Sequence, residues 1–273
     1  MKEHDLFVVD AFVGELDGRI LQGNPAAVAL LDAPQNAEWM QTLATKMGLS
    51  ETAFVSPNGD GFDLRWFTPQ VEVQLCGHAT LASAHVLWES GRLQTNKIAS
   101  FATHSGILRA KQQSQGIELD FPAQEVQMAP VSTDLMHALG IQTRDTPHFW
   151  KAGDDWLIEL ASGHQIETLR PDFADLGAVC RQINARGIIV TAPSQNSAYH
   201  FVSRFFAPSI GVDEDPVTGS AHTKLAPFWG SKLGKTTMIG YQASPRGGLV
   251  CCEWRGARVG LLGKCATVSR DNW

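Results

Sequence analysis

The sequence is poor in cysteine and contains no cysteine motif. Its 273 residues include five cysteines, which is an odd number, and no C-x-x-C pair occurs. They are Cys76, Cys180, Cys251, Cys252 and Cys265. This usage predicts reduced thiols rather than a disulfide framework or a zinc site, and we expect a cytoplasmic protein.

Long hydrophobic runs and clusters of positive charge are also missing. The longest uncharged stretch with a helical pattern, Val73–Trp88, contains a glutamine and two histidines and is shorter than the ~18 apolar residues of a membrane span. The chain opens on MKEHDLFVVD, which has acidic residues where a secretory signal has basic ones. Acidic residues outnumber basic ones by 28 to 22, and no Lys/Arg run occurs. We therefore expect neither a membrane nor a nucleic acid as a partner.

Three common catalytic motifs are absent as well. No G-x-G-x-x-G follows a predicted strand, which argues against a dinucleotide cofactor. No spacing of His, Cys, Asp and Glu matches a ligand set, so we expect no metal. Ser220 lies in Thr-Gly-Ser-Ala-His instead of a G-x-S-x-G elbow, and despite His222 no base is placed for it, which disfavours a serine hydrolase.

What remains is a pattern of many short strands and a few helices, which predicts an α+β fold. Apolar and charged residues alternate over Phe62–Trp66, as in a half-buried strand. A helix is predicted between the capping residues Asn36 and Gly48. The segment Ala79–Trp88 is apolar on nearly every side and predicts a helix wrapped by other structure, and a further helix is predicted over Gly219–Trp229.

The chain is expected to form two lobes of similar length. The linker candidate is Pro122–Gln124, near the midpoint, which separates an N-terminal lobe of residues 1–122 from a C-terminal lobe of residues 123–273. Two short strands, Arg258–Leu262 and Ala266–Ser269, are predicted to close the chain. We leave open that the last strand packs back onto the first lobe.

The two halves also resemble each other in sequence. Arg65–Pro69 (RWFTP) matches Arg204–Pro208 (RFFAP) 139 positions later, and Gly77–Ala79 (GHA) matches Gly219–Ala221 (GSA) 142 positions later. An internal repeat dictates architecture, so we predict two pseudo-symmetric lobes, each a curved sheet around a central helix, with a cleft between them.

Both copies of the repeat place a glycine at the start of a helix. A helix start exposes unpaired N–H groups and a partial positive charge, and glycine lets a ligand approach that backbone closely. Gly77 and Gly219 therefore predict a receptor for a small carboxylate. The alternative is that both glycines serve only tight packing.

Four segments carry a resemblance to a known family. They are GNPAAV at 23–28, SETAF at 50–54, LCGHAT at 75–80 and EDPVTGSAH at 214–222. Their order and separation resemble those of the PhzF (phenazine biosynthesis) family, from the first strand to the last. The resemblance implies the diaminopimelate-epimerase-like fold, in which each of two pseudo-symmetric lobes is a β-barrel around a helix and the site lies between them. It also implies a homodimer.

The same resemblance implies an activity. The member that names the family isomerises a dihydro-hydroxyanthranilate without a metal or an organic cofactor, and a glutamate moves a proton between ring carbons. By position, Glu51 matches this glutamate, and His78 and Asp215 match the other catalytic residues. Ser220 matches the serine at the second helix start. The backbone N–H groups of the glycines 77 and 219 would bind the substrate carboxylate.

These assignments are chemically coherent, and each has a plainer alternative. Burial would raise the pKa of Glu51 towards the working pH, and a neighbouring Asp215 would act in the same direction. The alternatives are a solvated loop acid for Glu51, a satisfied helix-start histidine for His78 and a helix-start charge for Asp215. Asn24 could orient a ligand or serve only as a turn residue.

One departure from related enzymes narrows the mechanism. Racemases of the same fold use two cysteines, and their positions are occupied here by Ala82 and Pro216, while Cys76 is not an equivalent. We therefore predict a cofactor-independent isomerase that acts on a small carboxylic acid by proton transfer through Glu51. The alternative is a non-catalytic small-molecule-binding protein that retains the fold, which would tolerate a change of Glu51 to Gln.

Overall fold

The chain divides into two units. In the computed structural model, which describes residues 5–272, residues 5–121 and 260–272 form the first unit and residues 122–259 form the second. The mixture of strands and helices is the predicted α+β class. The expected lobe of residues 123–273 is wrong at its C-terminal end, because the last strand pairs with the first strand of the chain.

The elements follow one another along the chain as strands interrupted by six α-helices within the described residues. The strands are β1 (Asp5–Leu16), β2 (Arg19–Leu21), β3 (Asn24–Leu30), β4 (Glu51–Asn58), β5 (Gly61–Phe67), β6 (Glu72–Val73), β7 (Ala99–Thr103), β8 (Gly106–Gln113), β9 (Gly116–Pro122), β10 (Gln127–Ala129), β11 (His148–Ala152), β12 (Asp155–Glu159), β13 (Gly187–Pro193), β14 (Phe201–Ala207), β15 (Val212–Asp215), β16 (Thr237–Gln242), β17 (Gly248–Arg255) and β18 (Arg258–Asn272). The helices are α1 (Ala37–Met47), α2 (Gly77–Glu89), α3 (Thr133–Leu139), α4 (Gly163–Thr168), α5 (Phe173–Gln182) and α6 (Gly219–Leu233).

Eight strands of the first unit close into a barrel. The pairing runs β1–β3–β4–β5–β7–β8–β9–β18 and returns to β1. The pairs β3–β4 and β5–β7 are parallel. Where two short closing strands were predicted, β18 is one continuous strand, because the small Gly263 lets the chain pass directly over the buried ring of Phe12.

The centre of this barrel is occupied by α2. Of its 13 residues, 11 are buried, and it packs against β1, β3, β4 and β8. This confirms the wrapped helix predicted from its apolar sequence. On the outside, α1 has the predicted caps: Asn36 Oδ1 accepts from Trp39 N at 2.8 Å, and Gly48 ends the helix in the left-handed conformation. Within residues 5–272, none of the helices is both long and apolar enough to cross a membrane.

The second unit repeats the strand order of the first. The ladder β11–β12–β13–β14–β16–β17 alternates antiparallel, parallel, antiparallel, parallel and antiparallel pairs, as β1–β3–β4–β5–β7–β8 does. The helix α6 takes the role of α2, since it begins at the repeated glycine, is buried over most of its length and packs against β16 and β17.

Each unit contains a hydrogen-bonded Arg–Glu pair at the corresponding place, which confirms the internal repeat at the level of side chains. Arg65 donates two hydrogen bonds to Glu72, both of 2.7 Å, and Arg204 donates two to Glu214, of 2.7 and 2.8 Å. Each guanidinium also lies over the ring of the phenylalanine two positions further on. The two halves therefore share one local architecture, and their positions can be compared one by one.

Candidate active site

Parallel pairing of β3 and β4 brings two of the predicted residues to one end of the first unit. Asn24 is the first residue of β3 and Glu51 is the first residue of β4, and the register pairs Ala26 with Glu51. The turn before Asn24 requires glycine, because Gly23 has a φ of 65° and a Cβ there would lie 2.1 Å from the Ala11 carbonyl oxygen. Glu51 thus belongs to a strand end rather than to a loop.

A network of polar side chains surrounds His78 at the start of α2. Asn24 Nδ2 lies 3.2 Å from His78 Nδ1, and Ser50 Oγ donates to Asn24 Oδ1 at 3.2 Å. On the other side of the ring, His78 Nε2 lies 3.3 Å from Glu51 Oε2 and 3.4 Å from Ser50 Oγ. Three of the predicted residues are therefore in direct or shared contact here.

These contacts assign the proton of His78. Because Ser50 donates to the Asn24 oxygen, the Asn24 amide presents its NH₂ group to Nδ1, which must accept. The neutral ring therefore carries its proton on Nε2, which faces Glu51. Burial lowers the pKa of His78 from 6.5 to about 3, so its 3.3 Å contact with Glu51 Oε2 involves a neutral imidazole and is not an ion pair.

Glu51, Cys76 and His78 are the candidate metal ligands of the described part of the chain. One ligand atom from each lies within 4.8 Å of the others, and Cys76 Sγ is 3.5 Å from His78 Nδ1. The residue types suit zinc. However, the Asn24 amide already engages Nδ1 of His78, so an ion bound at Nδ1 would have to displace this hydrogen bond.

The two helices that begin at the repeated glycines differ from the other helices in their capping. The helices α1, α3, α4 and α5 each begin with a side chain that accepts a hydrogen bond from the first turn. At α2 and α6 the N-cap residues, Cys76 and Thr218, make no such bond. The first turns at Gly77 and Gly219 are therefore left without a side-chain cap, as a ligand-binding helix start requires.

In the second unit, Asp215 is held by two neighbours. Thr218 Oγ1 donates to Asp215 Oδ2 at 2.6 Å. Gln242 Nε2 donates to the Asp215 backbone oxygen at 2.8 Å, while Gln242 Oε1 accepts from Thr218 N at 2.8 Å. Asp215 is only 9% exposed, so its carboxylate has a fixed position just before α6.

Ser220 lies next to a charged cluster that the sequence did not predict. Ser220 Oγ accepts from Arg186 Nη2 at 3.0 Å. Arg186 also donates to both oxygens of Asp155, at 2.9 and 2.5 Å, and Lys224 Nζ donates to Asp155 at 2.6 Å. Burial disfavours the charged form of Arg186, but the attraction of Asp155 is stronger and the pKa of Arg186 is raised. The pKa of Lys224 is lowered by its burial and by the nearby charge of Arg186.

The predicted site residues therefore fall into two groups. Asn24, Glu51, Gly77 and His78 belong to the first unit, and Asp215, Gly219 and Ser220 belong to the second. Within each unit the predicted residues lie together. Sequence reasoning missed the polar contacts of Ser50, although this residue opens the SETAF segment. It also missed the cluster of Asp155, Arg186 and Lys224, because these three charged residues were not assigned to any site.

Comparison with known proteins places the chain in a family. The sequence profile of the PhzC-PhzF family, described as phenazine biosynthesis-like protein, matches residues 9–271. This chain belongs to the PhzF family. An uncharacterized isomerase of Halalkalibacterium halodurans is 46% identical over 267 residues, which is 97% of each protein. A human phenazine biosynthesis-like domain-containing protein is 37% identical over 282 residues, covering 96% of each.

Solved structures give the same assignment and extend it to the fold of epimerases. A PhzF family protein of Enterococcus faecalis has a TM-score of 0.90 at 36% identity, and the match covers 99% of both chains. A probable proline racemase of Agrobacterium radiobacter has a TM-score of 0.67 at 10% identity, covering 98% of this chain and 92% of that one. The second likeness concerns the fold alone, and it confirms the predicted epimerase-like architecture.

Proposed function

We propose that this PhzF family protein is an isomerase that moves a proton between two carbons of a small carboxylic acid, with Glu51 as the acid–base group. The observation that carries the proposal is the position of Glu51 Oε2, 3.3 Å from Nε2 of a buried, neutral His78. Relatives that are 46% and 44% identical are named isomerases, which supports the reaction class.

In the proposed reaction, Glu51 carries the proton from one carbon to the other. The Glu51 carboxylate takes a proton from a carbon next to an electron-withdrawing group, which leaves an enolate-like anion and a neutral carboxylic acid. The acid then returns the proton to a different carbon, so that no atom or electron is gained or lost. The Nε2 atom of His78 faces the carboxylate at 3.3 Å, and the Glu51 side chain is 17% exposed, so a ligand can reach it.

The neutral state of His78 limits its own role. A group with a pKa of about 3 does not supply a proton near neutral pH, so His78 acts as a neutral neighbour of Glu51 and not as the general acid. Asn24 acts through His78, because its side chain is fully buried and its amide fixes the ring. Asp215, held by Thr218, is the second acid–base candidate.

The ligand carboxylate finds suitable partners at the uncapped helix starts. The backbone N–H groups of the first turns at Gly77 and Gly219 can donate to an anion, and the aligned peptide dipoles favour negative charge there. The same donors would stabilise the charge that develops when a carbon loses its proton.

Deuterium incorporation tests the proposal. The wild-type protein and Glu51→Gln are incubated in D₂O with cyclic and amino-acid carboxylates, including dihydro-hydroxyanthranilate, and labelled carbons are found by mass spectrometry. We expect the wild type to label one compound and Glu51→Gln to lose ~10²-fold or more of the rate, the usual contribution of a positioned base. The exposed Glu125→Gln is the matched control.

Two results would count against the proposal. If Glu51→Gln exchanges at the wild-type rate, Glu51 is not the base. If no compound is labelled while one of them raises the melting temperature of both proteins equally, the protein is a small-molecule-binding member of the family and not an isomerase.

A further inference from the structure

The charged cluster of the second unit is built around one buried carboxylate. Asp155 is fully buried and is shared by two cations, since both Arg186 and Lys224 bond to it. Lys224 is only 5% exposed, so solvent does not neutralise it. Asp154 and Asp215 act on Arg186 as well and, together with Asp155, raise its pKa, so the guanidinium stays charged and its exposed part can attract an anion.

The guanidinium of Arg186 is fixed by several contacts, and one of its nitrogen atoms, Nη1, is not involved in the hydrogen bonds that fix it. Nε and Nη2 bond to Asp155, Nη2 also bonds to Ser220, and the group lies 5.2 Å from the ring centre of Phe205. Among the described residues, none accepts a hydrogen bond from Nη1. The Arg186 side chain is 34% exposed, so this remaining edge is accessible to a ligand.

This edge lies beside the start of α6. Ser220, which accepts from Arg186 Nη2, is the second residue of the helix, directly after Gly219. The planar, forked guanidinium is the side chain best suited to a carboxylate, because it can donate two parallel hydrogen bonds. An anion bound here would meet the guanidinium edge, the Ser220 hydroxyl and the first N–H groups of α6 together.

The internal repeat shows that this position has a counterpart in the first unit. Strand pairing aligns Asp155 with Gly187 on β12 and β13, as it aligns Ala26 with Glu51 on β3 and β4. Arg186, one residue before Gly187, therefore stands where Ser50 stands in the first unit. Both residues contact the second residue of the following buried helix, Ser220 and His78 respectively.

We propose that Arg186 binds the carboxylate of the ligand and selects acids over their neutral analogues. The proposal rests on the proposed function for the class of ligand, a small carboxylic acid. Asp155 and Lys224 act as positioning residues: Asp155 fixes the guanidinium plane, and Lys224 keeps Asp155 compensated so that the charge of Arg186 remains available.

The test compares a carboxylate probe with its neutral analogue. Binding of 2-aminobenzoate and of 2-aminobenzamide is measured by NMR titration, following the backbone amides of Gly219 and Ser220. We expect the wild type to prefer the acid, and Arg186→Gln to weaken binding of the acid by ~10-fold or more, the usual effect of losing a charged hydrogen-bond pair. Binding of the amide should change less than ~2-fold.

Matched variants separate recognition from stability. Arg186→Lys keeps the charge but loses the fork, so an intermediate loss of acid binding is expected, and this variant remains informative if Arg186→Gln does not fold. Arg181→Gln removes one positive charge from the exposed face of α5 and should leave both affinities unchanged. Equal losses for the acid and the amide would mean a structural role for Arg186 and would overturn the proposal.

The outcome is independent of the proton-transfer assay. Glu51→Gln should still prefer 2-aminobenzoate to 2-aminobenzamide while its deuterium exchange is lost. If Glu51→Gln exchanges normally and Arg186→Gln loses the acid preference, the proposed base is wrong and the recognition residue stands. If the wild type binds neither probe, or binds both equally, Arg186 is not the carboxylate-binding residue.

Discussion

His78 should make the stability of the protein depend on pH in a defined direction. Its pKa is about 3 in the folded protein because of burial, against an ordinary value of 6.5. Above pH 6.5 the imidazole is neutral in both the folded and the unfolded chain, and it contributes no difference. As the pH falls below 6.5, the unfolded chain takes up a proton that the folded His78 does not, so stability decreases until the folded pKa is reached.

The size of this loss follows from the two pKa values. At about pH 5 the solution is about 1.5 units below the ordinary value and still above the folded one, and each unit is worth ~1.4 kcal/mol. His78 should therefore cost the folded state about 2 kcal/mol on going from about pH 7.5 to about pH 5. His222, also fully buried and with its pKa lowered by burial to about 4, should add a similar loss.

The measurement is a comparison of free energies of unfolding in urea at these two pH values. His78→Asn removes the titrating group, so the variant should lose about 2 kcal/mol less than the wild type between about pH 7.5 and about pH 5. The exposed His164→Asn should follow the wild type. In parallel, ¹⁵N NMR of the imidazoles should show His78 in the neutral form with the proton on Nε2 throughout this range.

Two observations would refute the reasoning. The first is a His78 signal that titrates near 6.5, which would mean that Glu51 stabilises an imidazolium and that the contact is an ion pair. The second is an equal loss of stability in the wild type and in His78→Asn. Either result would also remove the argument that His78 is neutral beside Glu51. The proposed proton transfer would then have to include His78 as well as Glu51.

The internal repeat provides two further predictions, both measured by urea unfolding. Glu214→Gln should lower the free energy of unfolding by about 3–5 kcal/mol, because it leaves the guanidinium of Arg204, which is 8% exposed, without its counter-charge. Glu72→Gln, in the more exposed pair, should lower it by at most ~1 kcal/mol. Equal losses for the two variants would contradict this reasoning. Gly187→Ala should cost about 1–3 kcal/mol, since its Cβ would lie 2.3 Å from the Phe205 ring, and an unchanged stability would show that the ring moves freely.

Local features of the fold could be predicted from the sequence because they depend on neighbours in the chain. The caps of α1 at Asn36 and Gly48 are set by residues a few positions apart. The all-apolar composition of α2 predicted that other structure surrounds it, and the barrel provides this. The continuous β18 was not predicted, because the break at Gly263 is bridged by packing on Phe12, which is distant in sequence.

The charged cluster was missed for a related reason. Asp155, Arg186 and Lys224 belong to three different elements, and only the parallel pairing of β12 with β13 and the position of α6 bring them together. None of them lies in a recognisable motif, and each taken alone is an ordinary charged residue. The internal repeat gives a weak indication of Arg186, because Arg186 is the counterpart of Ser50. This correspondence can be recognised only when the register of the strands is known.

The repeat also explains why one unit, and not both, carries the proposed base. The position equivalent to Glu51 in the second unit is Gly187, and a Cβ at Gly187 would lie 2.3 Å from the ring of Phe205. The space that a carboxylate side chain needs is thus already filled by an aromatic ring, and that ring in turn supports the Arg186 guanidinium. The Phe205 ring therefore disfavours an acid at position 187, so the second unit lacks a counterpart of the proposed base at this position.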